Sequence, residues 1–390
     1  MQPFRVGVGI REYRDVKSFA EEFALGEEDL ILTNQYIYEP VISSLNLPCQ
    51  VLFQEKYGAG EPTDDMVNAI LDTVRGMKKV SRIIAVGGGT VIDIAKVMAV
   101  AGPDDYMDDL YDRAPNLEKA HGLVIIPTTC GTGSEMTNIS IVSRVSRQVK
   151  QGLVSPAMYA DEAVLITELL ATLPYPVFAT SSIDAMIHAV ESYLSPNACS
   201  MSELFSEKAL QMILRGWMDS VGAASGDDLT ENAAGQAAEI DRERWKMHAA
   251  DFLLASNYAG IAFGYAGCAA VHALSYPVGS VHHVPHGQSN QLLFADVMRK
   301  YQEKKPVGKL NQLEEILGKI FGVDPVFSMA RLYRLLDMVY AKDRLRDHGV
   351  TEDELPVYAE NVLKTQQRLL KNNYTELTCD DILEIYRKAF

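Results

Sequence analysis

Every strand-like run in this chain falls before residue 174, and that asymmetry narrows the folds open to it. Asp29–Thr33, Gln50–Phe53 and residues 82–86, 123–126 and 163–166 are short and mostly apolar. Runs of this kind, without polar alternation, read as parallel strands buried on both faces. Helical patterns separate them. One reaches about Ser44, one opens at Thr63 before Asp64 and Asp65 and runs to about Lys79, and one covers 91–101 before Gly102-Pro103 ends it. After Leu173-Pro174 only helical patterns follow, over about 181–195, 201–222, 240–272, 309–321, 325–341, 353–371 and 379–388. Residues 222–235, rich in Gly, Ala and acids, read as a loop between helices. At 390 residues the chain is long for one domain. The expectation is an α/β domain over 1–173 and an all-helical domain over 174–390.

Apolar residues make up 47% of the chain, enough for large cores. The formal net charge of -16 argues against a nucleic-acid partner, which needs a basic face. Cys49, Cys130, Cys199, Cys268 and Cys379 form no CxxC pair and read as reduced thiols in a cytoplasm. The start, Met1-Gln2-Pro3-Phe4-Arg5-Val6, has no apolar signal core. Residues 259–271 are apolar and hold Gly260 and Gly264 at GxxxG spacing, but they fall short of the ~20 residues a membrane span needs. A packed internal helix is expected there, and no membrane partner.

Gly87-Gly88-Gly89-Thr90-Val91-Ile92-Asp93 follows a strand and opens a helix. Glycines let the backbone approach a pyrophosphate, and a helix N-terminus offers free N–H groups and partial positive charge. The spacing matches neither G-x-G-x-x-G nor a Walker A loop. Read locally, the segment fits equally a tight turn with Thr90 and Asp93 as a capping box. Pro127-Thr128-Thr129-Cys130-Gly131-Thr132-Gly133-Ser134-Glu135 also follows a strand. Its hydroxyls either line a cofactor cleft at the strand ends or cap the next helix. Cys130 has no His or Asn near it in sequence, which disfavours a nucleophile.

In the second half, Asp184 and His188 are four apart, on one face of a helix. His272 lies in Val271-His272-Ala273-Leu274-Ser275-Tyr276-Pro277, and His286 in Val284-Pro285-His286-Gly287. One carboxylate and three imidazoles suit a borderline divalent ion such as iron(II) or zinc. Taken singly, Asp184 also reads as a helix cap through Ser181-x-x-Asp184, and each histidine as a core residue. A metal and a dinucleotide together point to a dehydrogenase.

These motifs, spread over nearly the whole chain, resemble the iron-containing (group III) alcohol dehydrogenase family, whose fold is shared with glycerol dehydrogenase and dehydroquinate synthase. The carrying segments are residues 87–96, 127–135 and 184–188, His272 and Pro285-His286-Gly287. The resemblance implies a dinucleotide-binding α/β domain and a helical metal- and substrate-binding domain, with the reaction in the cleft between them. It implies a metal at Asp184, His188, His272 and His286, Fe2+ favoured and Zn2+ possible. It implies NAD at Asn34, Gly87, Gly88, Gly89, Thr90, Asp93, Thr128, Thr129, Thr132 and Lys150, with Gly88, Gly89 and Thr90 on the pyrophosphate and Asp93 and Thr128 toward the nicotinamide. A small alcohol or aldehyde is the implied substrate, and a homo-oligomer is expected. Phe53-Gln54-Glu55-Lys56-Tyr57-Gly58 and residues 256–264, 272–277 and 366–370 resemble the branch that interconverts 4-hydroxybutyrate and succinate semialdehyde with NAD.

Two positions depart from the family pattern. Tyr276 stands where many members carry a relay histidine, and a tyrosine, with an unperturbed pKa of about 10, relays protons less readily at neutral pH. Asn34 stands where NAD-selective members often place Asp, so NADP is not excluded. A substrate carboxylate needs a cation or donors nearby. His283, three residues before His286, is the expected contact, with Tyr276 as a further donor; a solvated loop residue is the plainer reading of His283. The rivals are a polyol dehydrogenase or zinc-dependent synthase on the same fold, and a nucleotide sensor without catalysis.

Overall fold

The structure, a computed structural model, describes residues 3–147, 149–223, 225–229 and 241–390. Two compact units divide the chain: Arg5–Leu173, and Pro174–Phe390 with the extreme N-terminus. Phe4 falls with the second unit because its ring packs on Phe205 (6.0 Å between centroids) and Tyr265 (5.3 Å).

The first unit is an α/β layer structure. Six strands form one parallel sheet: β1 Gly9–Tyr13, β2 Asp29–Thr33, β3 Gln50–Phe53, β4 Arg82–Gly87, β5 Gly122–Pro127 and β8 Glu162–Ile166, in the order β1-β8-β5-β4-β2-β3. β6 Ile139–Arg144 and β7 Val149–Val154 pair antiparallel as a separate ribbon. The helices are α1 Val16–Phe23, α2 Gln35–Val41, α3 Asp64–Arg75, α4 Gly89–Val100 and α5 Met107–Arg113. The five expected strands are present; β1 and the ribbon are additional. β2 is buried along its whole length, which its unbroken apolar run requires, whereas β1 is an edge strand and mostly exposed. Thr63 caps α3 by accepting the Met66 amide hydrogen. The chain moves from β2 outward to β3 and then back across to β4. The strand order therefore reverses between β2 and β4, the place where open α/β sheets bind ligands at their carboxyl edge.

Among the described residues the second unit contains helices and no strand. They are α6 Tyr175–Leu194, α7 Ser200–Ser220, α8 Ala249–Ala266, α9 Ala270–His282, α10 His286–Lys304, α11 Lys309–Phe321, α12 Pro325–Val339, α13 Glu354–Thr365, α14 Gln367–Leu370 and α15 Cys379–Ala389. α6 starts earlier than the expected 181 because Pro176 sits in its first turn, where no N–H partner is needed. Asp184 is therefore mid-helix and does not cap it. The expected single helix over 240–272 is broken; its first residue and half of the loop at 222–235 lie outside the described residues. Gly267 takes a left-handed φ of 82° and ends α8, and the pair bends by 106° into α9. Among the described residues no single helix is long and apolar enough to cross a membrane, and this bent pair, the one that passes on length and composition, is largely buried.

Candidate functional site

α6 presents Asp184, His188 and Glu191 at i, i+4 and i+7, one face of the helix, all at least 95% buried. α9 brings His272 and the first residue of α10 is His286, so three helices meet around one carboxylate. Asp184 Oδ1 lies 3.4 Å from His272 Nε2 and 3.6 Å from His286 Nε2, and Oδ2 lies 4.0 Å from His188 Nδ1. The His188 ring stacks between Phe263 (4.2 Å between centroids) and His272 (4.5 Å). His286 keeps 32% of its side chain exposed against 3% for Asp184 and His272, so the cluster opens on the His286 side. Gly287, directly after it, has no room for a side chain: a Cβ there would lie 2.0 Å from the Thr180 carbonyl oxygen on α6.

The chemistry of this set fits a divalent ion. One ligand atom each from Asp184, His272 and His286 falls within 4.8 Å of the others, the scale of a single coordination shell. His272 Nδ1 is 2.6 Å from Glu191 Oε2; a carboxylate only accepts, so Nδ1 carries the hydrogen. In the neutral ring Nε2 is then a buried lone pair, and no hydrogen bond satisfies it. Burial disfavours charge on the Asp184 carboxyl, but the imidazoles of His188, His286 and His272 outweigh it and hold its pKa well below the usual carboxylate range. Burial likewise disfavours a charged His272, but Glu191 and Asp184 lift its pKa to about 9. A site that draws a positive charge this strongly suits a cation. Cys268 groups with His188 and His272 in a second, overlapping set, and burial pushes its thiol well above the ordinary value.

Two residues that sequence reasoning left unassigned complete the cluster. Glu191 also accepts the backbone N–H groups of Ala269 (2.9 Å) and Val271 (2.6 Å), so it anchors the start of α9. Its i+3 spacing from His188 was the available signal. Asn290, one turn after His286, donates to Asp184 Oδ1 at 2.8 Å. Tyr276 lies one turn after His272, its ring 6.3 Å from that of His286. His283 caps α9 in the left-handed conformation (φ 54°) and is exposed. Among the described residues, no hydrogen bond or ring contact links it to the cluster.

The first unit carries the second set. Gly87 ends β4, Gly88 is the N-cap of α4 and Gly89 its first residue. No side chain caps this helix, so Thr90 and Asp93 do not form the capping box that local reading allowed. Thr90 Oγ1 donates to the Gly60 carbonyl at 3.0 Å. Asp93 accepts from Ser134 Oγ and from the Ile141 amide, both at 2.8 Å, and burial raises its pKa against the opposing pull of Lys96. A Cβ on Gly87 would meet Val91 Cβ at 2.5 Å, and one on Gly89 would meet Thr132 Cγ2 at 3.1 Å. The backbone is thus bare at an uncapped helix N-terminus, which fits a pyrophosphate. Thr128 is buried at the end of β5, and Thr129 lies 3.4 Å from where a Gly88 Cβ would stand. Lys150 on β7 forms a close ion pair with Glu61. Wholly buried Lys96 donates to Ser134 Oγ (2.6 Å), Thr137 Oγ1 (2.9 Å) and Ile139 O (2.9 Å), and burial lowers its pKa to about 8 despite Asp93 and Glu135. Asn34, directly after β2, is buried and hydrogen-bonded to Gln54 and Glu55.

Sequence comparison agrees with both halves. Residues 5–167 match the profile of iron-containing alcohol dehydrogenases, and residues 178–390 match the C-terminal profile of the Fe-containing alcohol dehydrogenase family. The chain belongs to the iron-containing alcohol dehydrogenase family. It is therefore an oxidoreductase acting on alcohols. It is 42% identical over 390 residues, the full length of both chains, to the 4-hydroxybutyrate dehydrogenase of Clostridium kluyveri. It is 32% identical over 371 residues to long-chain-alcohol dehydrogenase 1 of Geobacillus thermodenitrificans, covering 91% of this chain and 88% of that one. The family's fold recurs in a 1,3-propanediol oxidoreductase (TM-score 0.81, 23% identity, 100% of both chains). It recurs also in an NAD+ complex of the sulfoacetaldehyde reductase of Bifidobacterium kashiwanohense (TM-score 0.81, 20% identity, 100% of this chain and 98% of that one).

Proposed function

We propose that this chain interconverts 4-hydroxybutyrate and succinate semialdehyde, with hydride passing between the substrate's terminal carbon and NAD. The observation that carries the metal chemistry is the buried cluster in which His272 Nε2 has no internal hydrogen bond. Asp184, His188, His272 and His286 would hold one divalent ion, iron(II) in preference to zinc. When bound, such an ion supplies Lewis-acid polarisation of the substrate oxygen. The substrate rests on the full-length likeness to the Clostridium kluyveri enzyme.

The chain's own residues do the positioning. Gly88, Gly89 and Thr90 hold the pyrophosphate, the two glycines leaving bare backbone for it. Thr128, Thr129 and Thr132 line the turn beside it, and Asp93 and Lys150 stand within the same unit. His286 marks the open side of the cluster, where the substrate enters. His283 is assigned to contact the substrate carboxylate, with Tyr276 as a further donor. We also propose a cytoplasmic homo-oligomer: none of the five cysteines is joined in a disulfide, and β1 offers an exposed strand edge.

The test is oxidation of NADH with succinate semialdehyde, beside elemental analysis of protein purified without chelator. Turnover together with about one divalent ion per chain supports the reading. Turnover of a polyol-derived ketone but not of the semialdehyde would replace the substrate. Bound metal without turnover of any aldehyde would sink the enzyme assignment.

A further inference from the structure

We propose that Glu55 sets the preference of the dinucleotide site for a cofactor without a 2′-phosphate, supplying the charge that Asn34 lacks. The inference rests on the dinucleotide reading above and adds a residue to it. In doubly wound sheets an acid at the carboxyl end of the strand beside the phosphate-turn strand accepts the adenosine ribose hydroxyls and repels a 2′-phosphate. Here the turn ends β4, its neighbour across the topological reversal is β2, and the residue after β2 is the neutral Asn34.

Strand register brings an acid to that place from the next strand. Thr33 of β2 pairs with Phe53 of β3, so Asn34 and Gln54-Glu55 leave the sheet together at its carboxyl edge. Glu55 Oε2 accepts from Asn34 Nδ2 at 2.9 Å, and Oε1 accepts from the Gln35 amide at 2.6 Å. Two bonds hold the carboxylate at the end of β2 although Glu55 itself is exposed and open to a ligand. Each oxygen keeps a lone pair for a ribose hydroxyl.

Asn34 cannot welcome a phosphate in its place. Its Nδ2 donates to Gln54 Oε1 (3.1 Å) as well as to Glu55, so both amide hydrogens are committed, and its Oδ1 accepts from Tyr36 (3.3 Å). The nearest cation in sequence, Lys56, rests over the Phe53 ring with Nζ 5.1 Å from the centroid. A phosphate dianion at this edge therefore meets a fixed carboxylate. Because Glu55 is exposed and partly screened, it discriminates without forbidding.

The experiment is direct binding of NADH and NADPH to the full-length protein, followed by nicotinamide fluorescence without substrate, for wild type, Glu55→Gln and Glu55→Asp. Wild type should bind NADH about tenfold or more tighter than NADPH, and Glu55→Gln should narrow that ratio by about tenfold, chiefly by tightening NADPH. Glu55→Asp should keep most of the discrimination. The wild-type ratio should shrink as salt rises from low to physiological strength. An unchanged ratio in Glu55→Gln, or a wild type that prefers NADPH, overturns the role of Glu55 while leaving the dinucleotide site standing. Failure of wild type to bind either nucleotide overturns the dinucleotide reading and this proposal with it.

Discussion

His272 Nδ1 donates to Glu191 Oε2 at 2.6 Å, and this bond decides which nitrogen of the ring faces Asp184. A carboxylate behind a ligating imidazole fixes its tautomer and raises its basicity. Glutamine at 191 offers one acceptor to three donors, the His272 ring and the amides of Ala269 and Val271. Glu191→Gln should therefore weaken metal binding by roughly 10- to 100-fold in a chelator competition. His272→Ala, the stronger control, should lose the ion and the activity together. Wild-type affinity in Glu191→Gln would show that the bond does not orient the ligand.

Gly88 offers a way to separate cofactor binding from folding. A Cβ there would lie 3.4 Å from Thr129 Cγ2, an ordinary contact, unlike the 2.5 Å clash a Cβ would suffer at Gly87. Gly88→Ala should keep the melting temperature within a few degrees and weaken NADH binding about tenfold, because the methyl intrudes where the backbone must approach a pyrophosphate. Unchanged NADH affinity would place the pyrophosphate elsewhere.

Lys96 predicts a pH dependence of stability. Its pKa falls from 10.5 to about 8 on folding, so between those values the unfolded chain holds a proton that the folded chain has lost. Stability therefore rises with pH across that window, and below about 8 the charged, buried lysine opposes folding. In urea unfolding from pH 7.5 to 10, wild type should show a slope more positive than Lys96→Met by up to about one proton. Parallel slopes would mean that the hydroxyls of Ser134 and Thr137 compensate the burial fully.

His283 occupies a left-handed backbone position that glycine fills without cost. His283→Gly should raise stability by up to about 1 kcal/mol, the relieved left-handed penalty less glycine's larger unfolded-state entropy, read by thermal unfolding. His283→Ala should raise KM for succinate semialdehyde more than for butanal only if the imidazole reaches the substrate carboxylate. Equal effects on the two aldehydes remove it from that role.

The four residues proposed to hold the metal stood out in the sequence because their chemistry is unusual for buried positions and two of them share helical spacing. Five strands were legible because burial on both faces leaves continuous apolar runs. α10 was not, since Gln288, Ser289, Asn290 and Gln291 are buried polar residues that hide the apolar period. The break between α8 and α9 was hidden because nothing local separates Gly267, needed for a positive φ, from glycines that only allow close packing. The Asn34–Glu55 bond depends on strand register, which no single segment encodes.

Glu191 ties the backbone at the start of α9 to the same carboxylate that orients His272. Whatever loosens that carboxylate frees the amides of Ala269 and Val271 to exchange with solvent. Hydrogen exchange at these two positions should thus report occupancy of the centre in intact protein, slow when the ion is held and faster after chelation, without any need for turnover.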